Sequence, residues 1–458
     1  MNPSSELVTR VWRLCSILRK DGITYQQYVT ELTYLLFMKM MQENGSEELL
    51  PQEARWGSLL AVEADHKIEA YKNALEILGS TSAVGSALAS IFERATTLFR
   101  GGDNLDRLMN GIDAIHWSTK ERDNFGDLYE GILQRNAEET KRGAGQYFTP
   151  RVLIEELVNL MEPNSSDVVQ DPAAGTGGFL VAAHRYAADR KGPCRITGME
   201  TVRDTHRLLL MNLHLHGIDG SEVFFGDTLS HDHERLAKAT LILTNPPFGP
   251  AGGPPARDDL VATSGLTSFA LPFVEHCIRS LTSTGRAAIV VPDNVLYEGG
   301  KGRALRKLIL ETCNLHTVLK LPSGIFYAAG VKTNVIFLEK KDAGTHGVWV
   351  YDLRSGMPTF GRNTPLTKRY FESFTKFYKS SPRDELDERG KWFSREQIAA
   401  RNDDLDFSWL GDDAAIDDIF GDPEDMIAAV ADHIADALER VQALKTELEA
   451  LPTASASG

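Results

Sequence analysis

In Thr240-Leu241-Ile242-Leu243-Thr244-Asn245-Pro246-Pro247-Phe248, an apolar run stops abruptly at a polar residue and two prolines. Such a run reads as a buried parallel strand whose end opens into a crevice, the place where open α/β sheets bind ligands. Asn245 offers a side-chain carbonyl there. Pro246 has no N–H to draw it into a ladder, so its peptide carbonyl is a second acceptor, and Phe248 brings a ring on which a heterocycle can stack. Two carbonyls aimed at one exocyclic amine would draw its lone pair out of conjugation and make it nucleophilic. Taken alone, Asn-Pro-Pro is also a plain turn after a strand, so the surrounding sequence has to decide.

Outward from this stretch, short β-rich runs at 167–170, 195–199, 222–225, 286–291 and 317–321 alternate with helical stretches such as 179–190 and 201–216. That alternation predicts an α/β domain with a mostly parallel, doubly wound sheet. The run 334–338 follows through a loop with two glycines and no evident helix, which suggests an antiparallel edge strand and a seven-stranded sheet within 141–345. From 346 to 421 the pattern weakens into an extension of this domain, with one more strand at 348–353 and a mixed polar and aromatic stretch at 368–406.

The first strand leads into Asp171-Pro172-Ala173-Ala174-Gly175-Thr176-Gly177-Gly178-Phe179, where a helix opens. Gly175, Gly177 and Gly178 permit a tight turn and close approach of backbone to a ligand. A phosphate-binding loop would need Lys-Ser/Thr after its glycines, and here Gly178 leads into Phe179-Leu180 instead. Asp171 disfavours a diphosphate by like charge and suits a cationic or zwitterionic ligand. Glu200 stands 22 residues after Gly178 at the end of the second strand, where a carboxylate can accept from both ribose hydroxyls. After the third strand, Gly226-Asp227 puts Asp227 where it could meet an adenine amine. Each acid alone could be a helix cap or a surface residue. In register at three strand ends, with ribose and adenine recognised and no diphosphate, they point to S-adenosylmethionine as cofactor.

Residues 1–140 read as an N-terminal α-helical domain. The run 31–40 is apolar nearly all round, as a central bundle helix would be, and Ile68, Tyr71, Leu75 and Leu78 keep the spacing of one buried face. A glycine-marked hinge at 141–145 leads to Gln146-Tyr147-Phe148-Thr149-Pro150-Arg151, with Thr149 expected as the cap and Pro150 in the first turn of the next helix. At 422–452, Ile427, Val430, Ile434, Ala437, Val441, Leu444, Leu448 and Leu451 recur in steps of three and four. This heptad helix calls for a long helical partner, or packs back on its own domain. The small, polar tail 453–458 is expected to be disordered.

With 458 residues, 42% hydrophobic and 25% charged, the chain has the composition of a soluble protein of two or three domains. No apolar run reaches the roughly 18 to 20 residues of a membrane span, and the four well-separated cysteines suit reduced thiols and suggest no metal site, so the cytoplasm is expected. The formal net charge of −15 is unusual for a protein that grips DNA by itself. A nucleic-acid substrate would require a local basic cleft or a partner that supplies most of the affinity.

Phe148-Thr149-Pro150, the Asp171 to Phe179 turn, Glu200, Gly226-Asp227 and Asn245-Pro246-Pro247-Phe248, in that order, resemble the adenine-specific DNA amino-methyltransferases. The chain is similar above all to the modification subunit of type I restriction-modification enzymes. The helical domain ahead of Gln146, the helix end Met211-Asn212-Leu213-His214, Arg286 to Asp293 and Leu321-Pro322-Ser323-Gly324-Ile325-Phe326 extend that likeness over about 28–410. The resemblance implies a Rossmann-like S-adenosylmethionine-dependent methyltransferase domain. It places Gln146, Tyr147, Phe148, Thr149, Pro150, Arg151, Gly175, Thr176, Gly177, Gly178 and Glu200 at cofactor-contacting positions, with Asp171 and Asp227 further in the cofactor pocket. Asn245, Pro246, Pro247 and Phe248 take the catalytic positions. It also implies partners: a specificity subunit that reads the double-stranded DNA and is flanked by two methyltransferase subunits, and a separate motor-nuclease subunit. The acidic charge and the heptad helix fit a subunit that docks on a partner's helices. Pro250 to Pro255 departs from the family pattern and leaves the substrate-side loop open. Other substrates for the same chemistry are RNA, a protein glutamine or the cytosine amine, and an inactive scaffold is the alternative outside enzymes.

Overall fold

The structure, a computed structural model, describes residues 3–20, 22–23, 25–80, 86–115, 117, 125–139, 149–326, 332–361, 364–380, 383 and 387–410. The expected heptad helix at 422–452, the tail, and Gln146, Tyr147 and Phe148 lie outside the described residues.

Among the described residues, seven helices form the N-terminal bundle: α1 (Pro3–Lys20), α2 (Tyr25–Glu43), α3 (Trp56–Leu60), α4 (Ala64–Leu78), α5 (Ser86–Phe92), α6 (Gly102–Asp113) and α7 (Phe125–Glu139). Helix α2 is the axis of this bundle because it has almost no polar face: Leu32, Tyr34, Leu35, Leu36, Phe37, Met38 and Met40 are all buried. Its few polar groups are satisfied inside. Glu31 accepts from Thr97 Oγ1 at 2.8 Å and from the Leu98 N–H at 2.7 Å, while Lys39 donates to Asp113 at 2.8 Å. On α4, Tyr71, Leu75 and Leu78 form the expected buried face, with Ile68 at its margin.

The catalytic half begins with α8 (Arg151–Met161) and runs β1 (Val168–Asp171), α9 (Gly178–Ala188), β2 (Arg195–Glu200), α10 (Arg203–Leu215), β3 (Val223–Phe225) and β4 (Ala239–Thr244). It continues with α11 (Ala270–Ser280), β5 (Leu281–Pro292), α12 (Asn294–Tyr297), α13 (Lys301–Thr312), β6 (Cys313–Lys320), β7 (Thr333–Lys340) and β8 (Gly347–Asp352). Last come α14 (Glu372–Lys379), β9 (Gly390–Ser394) and α15 (Arg395–Ala400). Thr149 does not cap α8. Pro150 occupies the cap position, its carbonyl accepts from Leu153 and Ile154, and Arg151 opens the helix.

The strands form one sheet in the order β3-β2-β1-β4-β5-β7-β6-β8-β9. The pairs among β1 to β5 are parallel, and β7 runs antiparallel to both β5 and β6. Two expectations need correction. Among the described residues the sheet has nine strands rather than seven, because β8 pairs with β6 and β9 pairs with β8, so the C-terminal extension widens the same sheet. The antiparallel strand β7 is interior, and the strand at that edge is β9, whose short sequence Gly-Lys-Trp-Phe-Ser offers too little alternation to be read.

Side-chain alternation on β4 divides the core between the two faces. Leu241 and Leu243 join Leu153, Leu157, Phe179 and Leu180 from α8 and α9, whereas Ile242 joins Leu271, Val274, Leu305 and Ile309 from α11 and α13. With helices on both faces, the middles of β4 (Leu241, Ile242, Leu243) and β5 (Ala287, Ala288, Ile289, Val290, Val291) are continuous buried apolar runs, as a buried parallel sheet requires. Helix α10 carries the bundle: Met211 belongs to the bundle core, and Arg207 donates to the carbonyls of Ile91 and Glu93, each at 2.9 Å.

Candidate active site

Chain direction across the sheet reverses between β1 and β4: β2 and β3 lie to one side of β1, β4 and β5 to the other. A crevice opens at such a switch point, at the carboxyl ends of the strands. Both the glycine turn after β1 and Asn245 after β4 stand there.

The turn is shaped by its glycines. Gly175 and Gly177 take φ values of +54° and +87°, and a Cβ on Gly177 would strike Leu209 Cδ1, while one on Gly178 would lie 2.7 Å from Ile154 Cδ1. A Cβ on Gly175 would meet nothing within 4 Å. The turn is tied to its neighbours by backbone groups: the Ala174 N–H donates to the Met199 carbonyl at 2.9 Å, and Asn212 Nδ2 donates to the Thr176 carbonyl at 2.9 Å.

Glu200, at the end of β2, grips the same turn. Its carboxylate accepts from the Gly175 N–H at 3.0 Å and from the Val202 N–H at 2.8 Å, and burial holds its pKa above the usual range. Asp171 is more deeply placed. Its carboxylate accepts from Thr244 Oγ1 at 2.7 Å and from the Ala173 N–H at 3.1 Å, joining the ends of β1 and β4 beneath the crevice. Burial, opposed by those hydrogen bonds and reinforced by the charge of Glu200, pushes its pKa up to about 7. Asp227 is exposed, and its Oδ1 accepts from the Leu229 N–H at 2.8 Å.

Asn245 donates from Nδ2 to Thr149 Oγ1 at 2.9 Å. Pro246 is buried and Pro247 half-buried. Phe248, expected as a stacking platform, is only 9% exposed and packs in the cluster that holds Leu321 and Phe326, so just an edge of it borders the crevice. Arg151 turns away toward the bundle, where it pairs with Asp127, Glu130 and Glu155 at 3.3, 2.8 and 3.0 Å.

The loop after the catalytic motif is firmly anchored. Pro250 bridges to Ser268, and Arg257 is buried, donating to the Thr228 carbonyl at 2.9 Å, to His276 Nδ1 at 2.7 Å and to Asp259 at 2.6 Å. That bond makes Nδ1 of His276 the acceptor, and burial keeps the imidazole neutral, its pKa well below the ordinary value. Thr228 in turn donates to the Pro172 carbonyl at 2.6 Å. The substrate-side loop therefore touches the acid turn after β3, which touches the glycine turn.

Several of these residues were missed from sequence. Thr244, Thr228 and Arg257 act through contacts made far along the chain. Val202 and Phe225 carried a visible signal: an apolar residue two positions from Glu200 and from Asp227. They are 37% and 36% exposed, and Phe225 pairs with Glu200 across β2 and β3, with the Arg203 guanidinium 4.3 Å over its ring.

The N-6 DNA methylase family model matches residues 120–417, from the last bundle helix past the end of the sheet. The chain belongs to that family. The type I restriction enzyme StySJI methylase subunit of Salmonella typhimurium is 40% identical over 98% of this chain and 96% of its own length. The type I restriction enzyme EcoKI methylase subunit of Escherichia coli is equally similar, at 40% over the same shares. Among solved structures, the crystal structure of the EcoKI M protein aligns over 98% of both chains at 35% identity with a TM-score of 0.54. A chain from a structure describing complex assembly and conformational transition of the type I restriction-modification system aligns over 99% of this chain and 100% of its own at 25% identity, with a TM-score of 0.75. This is a methylase subunit of a type I restriction-modification system, an S-adenosylmethionine-dependent enzyme of the adenine N6-methyltransferase family.

The methylase subunit's residues suit that cofactor. The open space over Gly175, the Glu200 carboxylate at the turn and the exposed apolar side chains of Val202 and Phe225 match a ligand with a ribose diol and a flat base. No described helix is long and apolar enough to cross a membrane.

Proposed function

We propose that this methylase subunit transfers a methyl group to the 6-amino nitrogen of an adenine flipped out of duplex DNA, at a site read by a specificity subunit. The modification protects host DNA from restriction. The observation that carries this reading is Asn245, held by Thr149 at the end of β4 and one strand away from the glycine turn. When bound, S-adenosylmethionine supplies an electrophilic methyl group. Thr176, Gly175 and Glu200 would hold it, and Val202, Phe225 and Asp227 are the side chains that would receive its base. Asn245 Oδ1 and the Pro246 carbonyl accept the two amine hydrogens of the adenine, which favours a pyramidal nitrogen with its lone pair directed at the methyl. Phe248 supplies the edge against which the flipped base rests. Positioning and preorganised dipoles carry the rate enhancement: forming the N–methyl bond would break the sulfur–methyl bond, with its electron pair left on a neutral thioether, and the amine's surplus proton would leave to solvent.

Two such subunits flank one specificity subunit in this reading, with the segment 422–452 as the docking helix and a motor-nuclease subunit joining the full complex. The net charge of −15 supports a division of labour in which the partner supplies the grip on phosphates. The test is transfer of labelled methyl to unmethylated duplex DNA by the chain alone and with its specificity subunit. Label in adenine only with both present is expected. Transfer to RNA or protein, and none to DNA, would refute the substrate assignment.

A further inference from the structure

The Asn245 carboxamide is steered from a segment 96 residues earlier in the chain. Its Nδ2 donates to Thr149 Oγ1 at 2.9 Å, although the resemblance placed Thr149 among the cofactor contacts and the helix chemistry suggested a cap. The structure gives the cap position to Pro150, so the Thr149 hydroxyl serves the catalytic strand rather than α8. An asparagine amide has a broad, roughly two-fold χ2 torsion, so its direction is set by what it bonds to. A carboxamide is also planar. Once Nδ2 points at Thr149, the direction of Oδ1 follows.

Thr149 is well placed to act as a fixed reference. The next residue is a proline, which restricts Thr149 to extended backbone and locks its own φ. The Pro150 carbonyl is engaged by the N–H groups of Leu153 and Ile154 at 2.9 and 3.1 Å. Arg151 then fastens the start of α8 to the bundle through Asp127 and Glu130, and to its own helix through Glu155. Drawing hydrogen-bond density from Nδ2 also polarises the amide and makes its oxygen a better acceptor.

We propose that Thr149 is a positioning residue for methyl transfer: its hydroxyl oxygen holds Asn245 Nδ2 and so aims Asn245 Oδ1 at the substrate amine. The inference rests on the reading of Asn245 given above. A positioning role and a cofactor contact predict different losses, because the first slows transfer at saturating cofactor and the second weakens cofactor affinity.

The experiment uses the methylase subunit assembled with its specificity subunit on duplex DNA. Single-turnover methyl transfer at saturating S-adenosylmethionine and equilibrium cofactor affinity are measured separately. Thr149→Val keeps the branched shape and removes the hydroxyl; transfer is expected to slow by about 10- to 100-fold, as for loss of groups that orient a reacting ligand, with cofactor Kd changed by less than about threefold. Thr149→Ser restores the hydroxyl and is expected to recover transfer. Thr149→Ala serves as the second hydroxyl-free variant if Thr149→Val does not assemble, and is judged by the same two measurements. Unchanged transfer in the hydroxyl-free variant overturns the proposal, as does an equal loss in Thr149→Ser or a loss confined to cofactor Kd. Asn245→Ala is run alongside. If it transfers normally, the parent reading fails and this proposal with it; if it is inactive while Thr149→Val is not, the proposal alone fails.

Discussion

The two sides of the switch point are built by different means. On the cofactor side, the glycine turn, Glu200 and the β2 and β3 ends are joined largely through backbone groups: the Gly175 and Val202 N–H groups on Glu200, the Ala174 N–H on Met199. On the substrate side, side chains do the joining across long stretches of chain: Asn245 to Thr149, and Arg257 to Thr228 and His276. Backbone geometry is insensitive to most substitutions other than those of glycine, whereas a side-chain network fails when one member is replaced. The cofactor side should thus be vulnerable at few positions, the substrate side at many.

The largest effect expected is on the substrate side. Asn245→Ala should reduce methyl transfer by at least about 10²- to 10³-fold, the loss usual for one preorganised transition-state contact, while cofactor affinity is retained. Radiolabel transfer and equilibrium binding on the same preparation check this; joint loss of both would erase the distinction between the two sides. Next, Gly177→Ala should strain a φ of +87° and drive a Cβ into Leu209, at a cost of about 1–3 kcal/mol for the backbone alone. Calorimetric titration should show weakened cofactor binding, and unchanged affinity would mean that the turn does not shape the pocket. Glu200→Gln keeps two acceptor positions on one oxygen and loses charge. A drop in cofactor affinity of about 10-fold is expected, in line with about 1.5 kcal/mol for a hydrogen bond to a charged group.

The glycine turn, Glu200 and Asp227 were legible because their signals are local: a strand, a turn of glycines, an acid at each strand end. The Asn-Pro-Pro-Phe motif was equally legible, since two prolines after an apolar run allow few structures. The partners of those residues were not. Nothing near Thr149 announces that its hydroxyl belongs to Asn245, and the threonine-proline pair reads more naturally as a helix start. Arg257 lies in a stretch rich in glycine and proline that looks like open loop, yet its guanidinium is buried against His276. Strand β9 escaped for another reason. Five residues with one glycine and one lysine carry no clear period, and only pairing with β8 reveals them as an edge. The sequence offers Phe248 as a stacking ring, whereas the fold leaves it only 9% exposed, a depth that residue type alone does not reveal.

The smallest effects concern protons. Asp259 sits below the usual carboxylate range, at about 2, because Arg257 hydrogen-bonds to it. Its folded pKa is depressed, so its contribution to stability is present above the unfolded value and is lost as pH falls from about 4 toward 2. Arg257→Met should remove that acid dependence in melting scans of the intact chain. Asp171 works in the other sense. Its folded pKa is raised to about 7, so the apo protein loses stability as pH rises from the ordinary carboxylate value toward 7. Asp171→Asn, which still offers Thr244 an acceptor, should raise the melting temperature at pH 8 more than at pH 5. An equal change at both would show that Asp171 is ionised without penalty beneath the crevice.

The ion pairs of Arg151 have a practical consequence for recombining relatives of this chain. The obvious seam for a chimera is the glycine-containing stretch 141–145, which in sequence follows α7 and precedes α8. A cut there inherits Arg151 and Thr149 from one parent and Asp127 and Glu130 from the other. A cut before Phe125 transplants α7 together with the segment it holds, and is the seam at which modules from two such enzymes should exchange without loosening the catalytic asparagine.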